Sequence, residues 1–181
     1  MPASEQGRRA SRRDWGWHPL RADWAARVVE GAPVRAGDLV LDLGAGTGAL
    51  TAPLLDAGAR VVAVELHPGR AAALRRRFAD APVRVVAHDL ADLRLPGRPF
   101  RVVSNPPYQL STAVLRTLLS TDRLLSADLV LQAGAARRLA AAPPGARHAR
   151  RFVLDVGPPV PRRAFHPPPR VDSAVLRVRR R

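Results

Sequence analysis

The chain has 181 residues, enough for one globular domain with a real core. It contains no cysteine, which excludes disulfides and thiolate metal sites, and no apolar run near the ~20 residues that cross a bilayer. Its 30 basic residues are all arginine and face only 15 acidic ones, a net charge of +15 that points to a polyanionic partner, since each neutralised phosphate releases counterions.

Apolar runs alternate with helical stretches along the chain, the pattern of a parallel α/β sheet. Residues 1–14 are polar, carry Arg8, Arg9, Arg12 and Arg13, and lack a secretory core, so a basic tail is predicted there, in a protein of a reducing, cytoplasmic compartment. An amphipathic helix is predicted over 21–30. The first strand, 39–43, runs into Gly44-Ala45-Gly46-Thr47-Gly48, and a helix follows through Leu54 and Leu55 to about Gly58. The second strand covers 60–65, and the helix over 68–78 opens with Pro68 in its first turn. Strand three, 83–87, leads to Asp89. Strand four, 100–104, enters Asn105-Pro106-Pro107-Tyr108.

A helix over 111–119 and a fifth strand over 128–132 come next. A mobile loop rich in Pro, Gly and Arg is predicted over 141–151, and 152–156 with 174–178 read as a closing pair of strands. The expected fold is α/β and Rossmann-like: a mostly parallel seven-stranded sheet with an antiparallel closing strand. One domain over 15–178 would carry it, with 179–181 as a basic C-terminal tail.

The glycine loop after Asp42 makes a sharp turn that lets backbone approach a ligand where a Cβ would clash. Its spacing is G-x-G-x-G, whereas the dinucleotide fingerprint is G-x-G-x-x-G. Glu65 ends the second strand about 20 residues on, where an acid accepts ribose hydroxyls. Asp89 follows the third strand and can bind an adenine amine; a helix cap explains it equally well. Three polar strand ends facing one crevice describe a nucleoside-containing cofactor site. The five histidines, His18, His67, His88, His148 and His166, never fall at a metal-ligand spacing, and no metal is expected.

Asn105-Pro106-Pro107-Tyr108 follows strand four into the same crevice. An amine on a base is a poor nucleophile because its lone pair is delocalised into the ring. The Asn105 side-chain oxygen and the Pro106 carbonyl can each accept one of its N–H bonds, drawing the nitrogen towards tetrahedral geometry and freeing the lone pair to face a sulfonium methyl. Tyr108 offers a ring for an unpaired base to stack on. Phe165, in a connection rich in proline and arginine, reads as a second aromatic face opposing Tyr108, or else as a core anchor. The tryptophans Trp15, Trp17 and Trp24 are expected to pack or to cover the cofactor.

At these residues a family becomes recognisable. The set 42–48, Val64-Glu65, Asp89, Asn105-Pro106-Pro107-Tyr108 and the closing run 161–175 resembles the ribosomal RNA adenine-N6 (di)methyltransferases, and within them the macrolide-resistance (Erm) branch. The resemblance implies S-adenosylmethionine as cofactor, held by Gly44, Gly46, Glu65, Asp89 and Asn105. Base positioning would fall to Asn105, Pro106, Tyr108 and Phe165. The substrate implied is an adenine of 23S rRNA, methylated by a monomer, with macrolide-type resistance as the outcome. Two features depart from the family. Its opening Gln-Asn-Phe-Leu, which covers the cofactor, aligns with Trp17-His18-Pro19-Leu20, making His18 and Leu20 candidate contacts. The helical C-terminal domain that follows the closing strand in the family is not expected here. A small-subunit rRNA dimethyltransferase, a DNA adenine methylase and a non-catalytic ribosome-binding factor on the same fold are the competing readings.

Overall fold

The computed structural model describes residues 17–181; the basic tail expected over 1–14 and Trp15 lie outside the described residues. Seven strands form one sheet: β1 (Leu39–Leu43), β2 (Arg60–Val64), β3 (Val83–Val86), β4 (Phe100–Ser104), β5 (Leu124–Gln132), β6 (Phe152–Val160) and β7 (Ser173–Arg180). Their spatial order is β3-β2-β1-β4-β5-β7-β6. β1 to β5 pair in parallel, and β7 inserts antiparallel between β5 and β6. The predicted mostly parallel sheet with one antiparallel closing strand is the sheet observed.

Among the described residues six helices cover it: α1 (Ala22–Glu30), α2 (Thr51–Asp56), α3 (Pro68–Arg77), α4 (Ser111–Leu119), α5 (Ala133–Ala141) and the short α6 (Ala146–Ala149). None of the helices among the described residues is long and apolar enough to cross a membrane.

Side chains alternate across the sheet because successive Cβ atoms of a strand point to opposite faces. Leu41, Leu43, Val102, Leu129 and Leu131 pack on one face with Val114, Leu115 and Leu118 of α4 and Leu139 of α5. Their neighbours Val40, Val103 and Val130 pack on the other, with Val28 and Val29 of α1 and Leu54 of α2. Burial of both faces explains why these strands read as continuous apolar runs.

The structure departs from the sequence reading in the second half. β5 begins at Leu124, four residues early, because buried Ser126 and Asp128 are strand residues satisfied by arginines: Ser126 Oγ by Arg101 at 3.0 Å, and Asp128 by both terminal nitrogens of Arg179 at 2.7 and 2.8 Å. β6 extends to Val160 through Pro158 and Pro159, which an edge strand tolerates where a register shift breaks the ladder. Helix α5 was not anticipated. Its alanines supply helix propensity, and it buries Ala136 and Leu139. The loop predicted over 141–151 contains α6. The tail predicted over 179–181 is mostly strand, since β7 runs to Arg180 and Arg181 donates Nε–H to the Phe152 carbonyl at 3.3 Å.

Candidate functional site

The carboxyl ends of β1, β2 and β4 open into a cavity of about 340 Å³ lined by, among others, Trp17, His18, Leu20, Asp42, Gly44, Gly46, Glu65, Asp89 and Asn105. A volume of this order holds a small ligand. Every residue expected to contact a cofactor is therefore brought to one wall.

The floor is the loop after β1. Gly44 and Gly46 have φ of +76° and +58°, a region that L side chains rarely adopt. A Cβ on Gly44 would lie 3.1 Å from Pro107 Cδ, and one on Gly46 would lie 2.8 Å from Trp17 Nε1. The first contact seats the β1 loop against the β4 loop; the second brings the indole down over the glycine turn.

Glu65 is buried at the end of β2. Its Oε2 accepts the Gly46 N–H at 2.8 Å, while Oε1 accepts the His67 N–H at 2.8 Å and Arg70 Nε–H at 3.2 Å. Arg70 lies in the first turn of α3, and its guanidinium sits 4.9 Å from the centre of the Trp17 ring. Arg70 is not singled out as a contact by the sequence, whereas Trp17, expected to pack or to cover the cofactor, lines the cavity. The signal for Arg70 was Pro68 at the start of the helix, which fixes the turn that reaches back over the strand end.

Asp89 caps a short turn and also lines the cavity. Its Oδ1 accepts the Ala91 N–H at 2.9 Å and caps a short 3-10 turn, Leu90–Asp92, while the residue stays exposed at the cavity edge. Asp42 is buried at the end of β1, where Oδ2 accepts the Thr51 hydroxyl at 2.7 Å. Burial pushes its carboxyl up to about 7; the Thr51 hydrogen bond opposes that rise and the neighbouring Glu65 charge adds to it.

Asn105 follows β4. Its Nδ2–H donates to the His18 carbonyl at 2.8 Å, and its Oδ1 accepts no hydrogen bond among the described residues. Pro106 is buried and Tyr108 half-buried, beside the cavity rather than in its lining. The Tyr108 hydroxyl pairs with Ser173 Oγ at 3.0 Å, and burial raises its pKa above the usual phenol range. The ring facing Tyr108 is His18, with centroids 6.2 Å apart and planes 22° from parallel.

Phe165 is not that partner. It is 1% exposed, its backbone bridges Leu20, and it packs with the cluster that holds Val28, Val103 and Val160. Of the two readings of Phe165, the second stacking face is corrected in favour of the core anchor. Phe165 thereby fixes Leu20, and with it the segment that carries His18.

A strand-end crevice of this kind, on a sheet of order 3-2-1-4-5-7-6, defines a Rossmann-like methyltransferase domain. The chain belongs to the ribosomal RNA adenine dimethylase family, whose model matches residues 22–181. It is 37% identical over 145 residues to the rRNA adenine N-6-methyltransferase of Corynebacterium diphtheriae, covering 78% of this chain and 57% of that protein. It is 37% identical over 189 aligned residues to the ribosomal RNA small subunit methyltransferase A of Thermosynechococcus vestitus, covering 93% and 69%. A solved structure of the 23S rRNA methyltransferase ErmE superposes with a TM-score of 0.81 at 33% identity, covering 90% of this chain and 70% of that one. The chain thus spans well under two thirds of the length of the Corynebacterium relative.

Proposed function

We propose that this chain carries an S-adenosylmethionine-dependent methyltransferase that modifies the exocyclic amine of an adenine in ribosomal RNA. The observation that carries the reading is the anchored Asn105 amide. With its N–H committed to the His18 carbonyl, the side-chain oxygen is turned out as an acceptor beside a nucleoside-sized cavity.

The cavity fits the cofactor. Gly44 and Gly46 keep its floor free of Cβ atoms, and the Glu65 carboxylate in its wall and the Asp89 carboxylate at its edge match ribose hydroxyls and an adenine amine. His18 and Leu20 close it from the N-terminal side. S-adenosylmethionine, when bound, supplies a methyl group on a positively charged sulfur.

The protein's own part is positioning. Asn105 Oδ1 accepts one N–H of the target amine and the Pro106 carbonyl accepts the other, so the nitrogen lone pair leaves conjugation with the ring. Tandem prolines hold that loop stiff. Tyr108 presents a ring face for the extruded base, held by its hydroxyl on Ser173. No side chain of matched pKa is needed to take a proton before attack; fixed acceptors do the work.

Two substrates compete. Methylation of 23S rRNA, with macrolide-type resistance as its outcome, is supported by the likeness to ErmE and by the closing motif around Phe165. Methylation of small-subunit rRNA is supported by relatives of similar identity that carry the small-subunit name. Incubating the protein with methyl-labelled S-adenosylmethionine and separated 16S and 23S rRNA tests both. Label in 23S rRNA alone favours the first, label in 16S rRNA alone the second, and label in neither overturns the reading.

A further inference from the structure

The cavity wall holds more negative charge than it balances. Three carboxylates line it: Asp42 near the end of β1, Glu65 after β2 and Asp89 after β3. Against them stand the Arg70 guanidinium and the imidazoles of His18 and His67. Arg70 is spent on Glu65, which also takes two backbone N–H groups. Asp89 is exposed to solvent. Asp42 differs from both. It is 1% exposed, Thr51 on α2 is its hydrogen-bond donor, and no cation pairs with it among the described residues.

A buried carboxylate in that position lowers its cost in one of two ways, by holding a proton or by receiving a cation. S-adenosylmethionine and its demethylated product, S-adenosylhomocysteine, differ by one methyl and one unit of charge on sulfur. Resting on the cofactor reading above, we propose that Asp42 is a specificity-determining residue that favours the charged cofactor over the neutral-sulfur product by giving up its carboxyl proton as the positive charge arrives. The O–H bond of Asp42 breaks, the proton leaves to solvent through the cavity mouth, and the carboxylate remains as the counter-ion. When the methyl group has been transferred the charge is gone, Asp42 takes a proton back, and the product loses that attraction. The elevated Asp42 carboxyl, near 7, puts this exchange within the working range of pH.

Calorimetric titration of the intact chain with each ligand, in pairs of buffers of different ionisation enthalpy, counts the protons released. At pH 6.5 S-adenosylmethionine should release most of one proton and S-adenosylhomocysteine distinctly fewer. S-adenosylmethionine affinity should rise about tenfold between pH 5.5 and 7, with a flatter profile for the product. Asp42→Asn should abolish the difference in proton count, whereas a double His18→Gln, His67→Gln variant should keep it. Thr51→Val, which removes the hydroxyl donor, should move the transition to higher pH and serves should Asp42→Asn not fold. Equal proton counts for the two ligands, or a difference that survives Asp42→Asn and vanishes with the histidines, overturns the proposal while leaving the cofactor reading standing. Failure of S-adenosylmethionine to bind at any pH overturns both.

Discussion

Asn105 and His18, 87 residues apart, are joined by a side-chain to backbone hydrogen bond of 2.8 Å that ties the loop after β4 to the segment covering the cavity. Because the amide N–H is the donor, the orientation of the amide oxygen is decided before any substrate arrives. Asn105→Ala should therefore lower methyl transfer by on the order of 10²–10³, the usual cost of losing one fixed group that acts on the reacting centre. Circular dichroism and RNA affinity should stay near wild type. Wild-type turnover in this variant would remove Asn105 from the mechanism.

Glu65 links the floor and the wall of the site, accepting from Gly46 on one oxygen and from His67 and Arg70 on the other. Replacing it with Ala removes a charged acceptor worth ~1.5–3 kcal/mol, so affinity for S-adenosylhomocysteine should fall by roughly tenfold or more. Glu65→Gln keeps an acceptor for the Gly46 N–H and should fall less. Equal, unchanged affinities in calorimetry would place the ribose elsewhere.

The buried Asp42 carboxyl makes the fold sensitive to pH in a definite direction. Its folded value, near 7, lies above the ordinary 3.8, so the protonated form is favoured by folding. The stability this group contributes is complete below about pH 4 and is lost as the pH rises through 7. Asp42→Asn, which stays neutral, should therefore stabilise the protein. Its advantage over wild type should grow from pH 4 to 7 and then level off, to a few kcal/mol on the order-of-magnitude scale that one pKa unit sets. Thermal melts of both proteins across that range check it; an advantage that shrinks as the pH rises contradicts it.

Phe165 separates packing from recognition. Truncating a buried Phe leaves a cavity and costs about 3–5 kcal/mol, so Phe165→Ala should lower the melting temperature markedly. Phe165→Leu should recover most of it. RNA affinity measured on the folded fraction should not change. A variant with wild-type stability and weakened RNA binding would restore the stacking role.

Much of the first half of the fold was legible because its parallel strands are mostly apolar runs followed within a few residues by a glycine, an acid or an asparagine. Those endings also marked residues that line the cavity: Gly44, Gly46, Glu65, Asp89 and Asn105 all meet there. What stayed hidden depends on partners distant in sequence. Arg179, grouped by composition with surface arginines meant for phosphate, forms a two-nitrogen pair with buried Asp128. Arg151 likewise pairs with Asp122 and donates to the Leu119 carbonyl. Charge counts cannot tell such arginines from free ones. Nor could spacing reveal that Trp17 covers Gly46 or that Arg70 reaches Glu65, since both contacts need the turn geometry of two separate loops.

The central claim is that the anchored Asn105 amide serves methyl transfer to the N6 nitrogen of a ribosomal adenine. Its most direct test is nucleoside mass spectrometry of rRNA incubated with the purified chain and methyl-labelled S-adenosylmethionine. Label should appear as N6-methyl- or N6,N6-dimethyladenosine with the wild-type protein and be reduced by on the order of 10²–10³ with Asn105→Ala. Label in any other nucleoside, or equal label from both proteins, would contradict the account.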